Sequence, residues 1–162
     1  MNTNLRKPLF LDISKFTTEV IKGETLYPML LMLLHMTGVS PKRIGAVTFE
    51  SVADNLNFSN VRLEFGDASV VNLNFGNLAF EDKFIIKSYS NNQFITLDFT
   101  NQTFECNNKT IDISEYNTVN EFDSFIDTIR NKTQKTSSLE NYLIAMDVIQ
   151  QINKKFTQFF AQ

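Results

Sequence analysis

His35 is the only histidine in the chain and Cys106 the only cysteine, and that scarcity decides most of the available chemistry. Zinc sites draw on pairs of imidazole and thiolate ligands at short spacing, so one of each cannot supply them. A serine triad would need His35 as its base, yet nothing in the sequence resembles a nucleophile elbow. His35 instead sits in an apolar run with Leu31 one turn before it, which favours a packed, hydrogen-bonded side chain. Glu121, Asp123 and Asp127 form an acidic cluster in the first turns of an expected helix, where acids complement the dipole and stay solvated. Cys106 alternates inward with Phe104, so a buried, inert thiol is expected. Lys15 ends the first predicted strand and could meet an anionic ligand, although a surface lysine is the simpler expectation. Phe156, Phe159 and Phe160 read as core or interface.

The glycines give the strongest exclusion. Gly23, Gly38, Gly45, Gly66 and Gly76 include no pair at the spacing of a dinucleotide fingerprint, which lets backbone approach a pyrophosphate. A Walker loop is absent for the same reason. This chain by itself is therefore expected to bind neither NAD nor NADP, and no metal.

Composition bounds the rest. The 162 residues are 43% apolar and 20% charged, with a net charge of −3. That is enough chain for one domain, residues 1–162, with a sizeable core and no disulfide. A net negative protein lacks the basic face that nucleic acid requires. The greasiest stretch, Leu26–Leu34, is interrupted by Pro28 and falls short of the roughly 20 apolar residues of a membrane span. No secretory signal follows Met1, so no membrane association and a cytoplasmic location are expected.

The elements follow from periodicity. Leu9, Leu11 and Ile13 alternate with Phe10, Asp12 and Ser14, predicting a half-buried strand. A helix is predicted from Leu26 to Thr37, with Pro28 in its first turn and Gly38 as its stop. From Lys42 to Asn108 the period is two. Strands are expected over Arg43–Glu50, through Val61, Leu63 and Phe65, through Val71, Leu73 and Phe75, over Phe84–Tyr89, through Ile95, Leu97 and Phe99, and over Thr103–Cys106. Gly66-Asp67 suits a type II′ turn, and the whole stretch reads as an antiparallel meander. Helical spacing returns at Phe122, Phe125, Ile126 and Ile129 after the N-cap candidate Asn120. A last helix runs through Leu139, Leu143, Met146, Ile149, Ile152, Phe156 and Phe159. The fold class is α+β: an open, mainly antiparallel β-sheet with helices packed on one face. Its other face keeps apolar residues in both registers, at Val70 beside Val71, Ile85 beside Ile86 and Phe94 beside Ile95, with Phe58 and Tyr89 added. A homo-oligomer through that face is expected.

Several stretches in order resemble the C-terminal domain of the Gfo/Idh/MocA family of NAD(P)-dependent sugar and polyol oxidoreductases, a fold similar to the C-terminal domain of glyceraldehyde-3-phosphate dehydrogenase. They are Lys7–Asp12, Met36-Thr37-Gly38 followed by Pro41–Ala46, Asn60–Phe65 with Ala68–Leu73, Glu121–Arg130, and Ala145–Val148. The resemblance implies a substrate and oligomerisation domain whose cofactor, NAD or NADP, belongs to a Rossmann domain in cis or in trans. It places the family's catalytic His and Asp at Pro28 and Leu31, neither of which transfers a proton, so no catalytic residue is expected here. Lys15, Tyr27 and His35 are the implied substrate-binding residues. The alternative is a stand-alone binding or assembly module that has lost catalysis.

Overall fold

The computed structural model describes residues 9–18, 26–37, 39–51, 56–77, 82–90, 93–107, 109–112 and 137–160. Eight strands form one sheet: β1 Phe10–Thr17, β2 Pro41–Ser51, β3 Leu56–Phe65, β4 Val70–Asn77, β5 Lys83–Ser90, β6 Gln93–Asp98, β7 Thr103–Cys106 and β8 Lys109–Asp112. Two helices accompany it, α1 Leu26–Thr37 and α2 Ser137–Phe160. The expected helix at Phe122–Ile129, its cap Asn120, the acidic cluster, Gly23 and Gly38 lie outside the described residues.

The sheet order is β2-β3-β4-β1-β5-β6-β7-β8, so the meander expected from the sequence is split. β1 inserts between β4 and β5, parallel to the first and antiparallel to the second. Burial explains the insertion. Leu11 and Ile13 lose all contact with solvent because Val71 and Leu73 flank them on one side and Ser88 and Ile86 on the other. A strand at the border could not be covered from both sides. β8 is a further strand that the sequence pattern did not suggest. It follows Asn107, whose φ of 49° is a left-handed turn geometry that asparagine tolerates.

One face of the sheet is covered. α1 buries Leu26, Met29, Leu30, Leu33 and Leu34, the i, i+3, i+4, i+7, i+8 stripe of an amphipathic helix. They share one cluster with Leu11, Ile13, Val61, Leu63, Phe65, Val71, Leu73 and Ile86 of the strands and Ala145, Val148 and Ile152 of α2. Thr37 closes α1 by donating its hydroxyl to the Leu33 carbonyl at 2.9 Å. The start of β1 is pinned by the buried Ser69: its Oγ accepts the Leu9 N–H at 2.9 Å, while Val70 N–H donates to the Leu9 carbonyl at 2.8 Å.

The β3–β4 hairpin differs from the type II′ expectation. Ala68 N–H reaches the Phe65 carbonyl and Phe65 N–H reaches the Ser69 carbonyl, which makes a three-residue loop over Gly66, Asp67 and Ala68. The left-handed position falls on Ala68, with φ of 65°, and not on Gly66. Asp67 supports the loop by accepting the Ser69 N–H at 3.0 Å. Three-residue hairpins of this kind ordinarily carry glycine at the left-handed site. Ala68→Gly is expected to raise unfolding stability by about 0.5–1 kcal/mol, the left-handed cost less glycine's extra chain entropy. Denaturant titration checks it, and a loss of stability would contradict the turn assignment.

Candidate functional site

Lys15 is not a plain surface lysine. It continues the inward row of Leu11 and Ile13 at the end of β1, half-buried between Phe75 of β4 and Phe84 of β5. Its ammonium lies 5.2 Å from the Phe84 ring centre, a cation–π distance, and Phe84 stacks in turn on Phe99 at 4.6 Å. Tyr27 stands in the first turn of α1, half-buried, with its ring edge-on to Tyr142 of α2 at 5.4 Å. Partial desolvation, and Tyr142 beside it, hold the Tyr27 phenol above its ordinary range. It remains protonated at neutral pH and is suited to donate a hydrogen bond. Pro28 is exposed beside it and Leu31 half-buried against the core. His35 lies on α1, and its side chain is outside the described residues. No described contact joins Lys15 to Tyr27. Cys106 is half-buried rather than fully buried, because it sits on the short strand β7 near the sheet border.

The face opposite the helices is organised in rows, which the strand registers give directly. One end carries Val70, Phe10, Tyr89 and Phe94 on β4, β1, β5 and β6. Phe10 meets Tyr89 edge-on at 5.7 Å, and Tyr89 meets Phe94 at 5.0 Å. The opposite end carries Phe49, Phe58, Gly76 and Phe16 on β2, β3, β4 and β1. Gly76 has no side chain to separate its neighbours, so Phe58 and Phe16 stack across it at 5.9 Å. Two mainly polar rows lie between. Arg62, Asn72, Asp12, Lys87, Thr96 and Glu105 make the first; Asn60, Asn74, Ser14, Ile85 and Asp98 make the second. A hydrogen-bonded ladder crosses them: Asn60 Nδ2 donates to Asn74 Oδ1 at 2.8 Å, and Asn74 Nδ2 to Asp12 Oδ1 at 2.9 Å. The sequence reading picked out the apolar members of this face and missed the ladder. Its signal was available in the alternation of Asn60, Asn72 and Asn74 with buried valines and leucines.

Asp98 caps the turn from β6 to β7. Burial pushes its carboxyl up, but the N–H groups of Asn101 and Thr100 and the Asn101 amide outweigh that and hold it below the usual range. Its role is structural.

The described residues do not fit a nicotinamide dinucleotide. Gly45 and Gly76 lie within strands and Gly66 in a hairpin, so none opens a helix where the pyrophosphate would be held. Among the described residues no three His, Cys, Asp or Glu side chains group as metal ligands. No helix of the described residues is long and apolar enough to cross a membrane.

No protein-family model matches the chain, and no curated protein does. Solved structures do. UDP-N-acetylglucosamine 3-dehydrogenase of Acidithiobacillus ferrooxidans superposes with a TM-score of 0.77 at 15% identity, covering 93% of this chain and 54% of that one. A dehydrogenase of Chromobacterium violaceum gives 0.75 at 11% identity, over 91% and 53% of the two chains. Biliverdin reductase of Synechocystis, solved with biliverdin and NADP+, gives 0.67 at 10% identity, over 91% and 54%. The chain thus spans about half the length of the structures it matches. Its α+β sheet has the fold of the C-terminal domain of Gfo/Idh/MocA dehydrogenases.

Proposed function

We propose that this chain is the substrate-binding and assembly domain of an NAD(P)-dependent oxidoreductase acting on a sugar-like substrate. The observation that carries the reading is the match over 93% of this chain and only 54% of a sugar-nucleotide dehydrogenase. Hydride chemistry then belongs to a dinucleotide-binding half, in cis or in trans, while this domain shapes the pocket. Lys15, Tyr27 and His35 are the residues assigned to the substrate side. The Lys15 ammonium beside the Phe84 ring suits an anionic or polyol oxygen, and the protonated Tyr27 hydroxyl suits a sugar hydroxyl.

A second reading, a stand-alone assembly module without catalysis, is favoured by Pro28 and Leu31, which cannot move a proton. A Rossmann fingerprint in frame in the genomic sequence upstream of Met1 decides for the first reading.

Two measurements test what both share. Calorimetry of this chain with NAD and with NADP is expected to show no binding. A low-micromolar dissociation constant, about −8 kcal/mol, would refute the assignment of the cofactor to another domain. Light scattering at micromolar concentration is expected to show self-association through the open sheet face, since half-buried and exposed apolar rows mark contact surfaces. Ile85→Lys places a charge in the middle of that face and should shift the assembly towards monomer. Unchanged mass would count against this surface.

A further inference from the structure

One polar row of the open face crosses adjacent strands: Arg62, Asn72, Asp12, Lys87, Thr96 and Glu105 on β3, β4, β1, β5, β6 and β7. In that order the residues are positive, neutral, negative, positive, neutral and negative. Reversing the order and exchanging the signs returns the same row. The midpoint of this pattern lies between β1 and β5, the fourth and fifth of the eight strands, so it is also the middle of the sheet. Arg62 is exposed and the others are half-buried. Asp12 is held in place, since Asn74 Nδ2 donates to its Oδ1 at 2.9 Å.

We infer that this face pairs with the same face of a second copy about a two-fold axis running along the strands, between β1 and β5. The inference rests on the self-association proposed above and gives it a register. Sheets stacked face to face keep their strands within about 30° of one another and lie about 10 Å apart, which such an axis allows. It lays each row over the same row of the second copy with the strand order reversed. Asp12 then lies over Lys87, Asn72 over Thr96 and Arg62 over Glu105, and the symmetry makes each pair twice. The aromatic rows at the two ends agree: Phe10 lies over Tyr89, and Phe16 over Lys83, a cation beside a ring. Other axes fail on charge. Centred on β1, the axis sets Asp12 against its own copy, and centred on β5 it does the same to Lys87. Turned across the strands along this row, it opposes every charge to itself. Turned across the strands between the two polar rows, it sets Lys87 over Ile85 and Asp12 over Ser14. Only the axis between β1 and β5 gives every charge of the row its opposite.

Sedimentation equilibrium of the full chain tests it. Within one chain Arg62 and Glu105 stand five strand spacings apart, about 24 Å, so exchanging their charges reads a contact between copies. Arg62→Glu and Glu105→Arg are each expected to weaken dimerisation on the order of tenfold, from two repulsive pairs. Mixed in equal amounts, the two variants should associate with wild-type strength, because each then meets the opposite charge at both positions. The double exchange Arg62→Glu/Glu105→Arg should likewise restore the dimer. A dimer that Ile85→Lys dissociates, but that both charge reversals leave at wild-type strength or whose mixed variants gain nothing, overturns this axis and leaves the sheet-face association standing. A wild-type monomer up to millimolar concentration, or a dimer untouched by Ile85→Lys, overturns both.

Discussion

Gly76→Ala is expected to cost about 3 kcal/mol or more of unfolding stability, among the larger effects available to one methyl group. A Cβ at this position would overlap the Asn57 carbonyl oxygen of the neighbouring strand and lie 2.9 Å from its carbon. Backbone cannot yield as a side-chain end can. Relief requires β3 and β4 to part where two asparagines clamp them, Asn57 N–H on Asn77 Oδ1 at 2.6 Å and Asn77 N–H on Asn57 Oδ1 at 3.0 Å. Gly45→Ala is the control, because there the new atom meets the Arg62 Cβ at an ordinary 3.8 Å and the Arg62 carbonyl oxygen at 4.0 Å. Denaturant unfolding of both variants should separate them widely. Equal stabilities would mean that the close approach at Gly76 is not a feature of the folded chain.

The same glycine marks where sequence reading stopped. Gly76 is ordinary in the sequence, since its necessity comes from Asn57, a residue of another strand. Local periodicity placed α1 at its observed bounds and found β1 from three alternating apolar residues. It did not find β1's place in the sheet, because alternation records which face a residue takes and nothing about its neighbours. The inserted strand matters for the site. It carries Lys15 into the inward row between Phe75 and Phe84 and puts Phe10, Asp12 and Phe16 on the open face. The row structure of that face is likewise a property of registers. Once β4 and β1 align, Asn74 and Asp12 become hydrogen-bond partners although far apart in sequence.

Pro28 and Leu31 are plain in the sequence, but their surroundings were not. Pro28 is exposed and Leu31 packs against the core, and the protonated Tyr27 phenol stands beside Pro28 in the first turn of α1.

The last helix separates pattern from burial most clearly, and Ile152→Ala is expected to destabilise the chain by about 3 kcal/mol while Leu139→Ala changes it by no more than about 0.5 kcal/mol. Both belong to the apolar run read from the sequence as the last helix. In the structure Ile152 is 0% exposed and joins Ala145 and Val148 in the core, whereas Leu139 is 67% exposed and Leu143 and Met146 are exposed with it. Successive apolar residues on α2 therefore serve two directions. At 100° per residue, Ala145, Val148 and Ile152 point together, and Leu139, Leu143 and Met146 lie well around the helix from them. A small residue, Ala145, sits at the buried position where the sequence reading favoured larger ones. Hydrophobicity alone ranks Leu143 and Met146 above it, but close packing between helix and sheet is what selects alanine there. Truncating Ile152 leaves a cavity between α2 and the sheet, which the surrounding leucines can close only in part. Truncating Leu139 removes a side chain that solvent already surrounds. Matched thermal and denaturant unfolding of the two variants is the measurement. Comparable losses at the two positions would show that α2 is seated on the sheet by its other face.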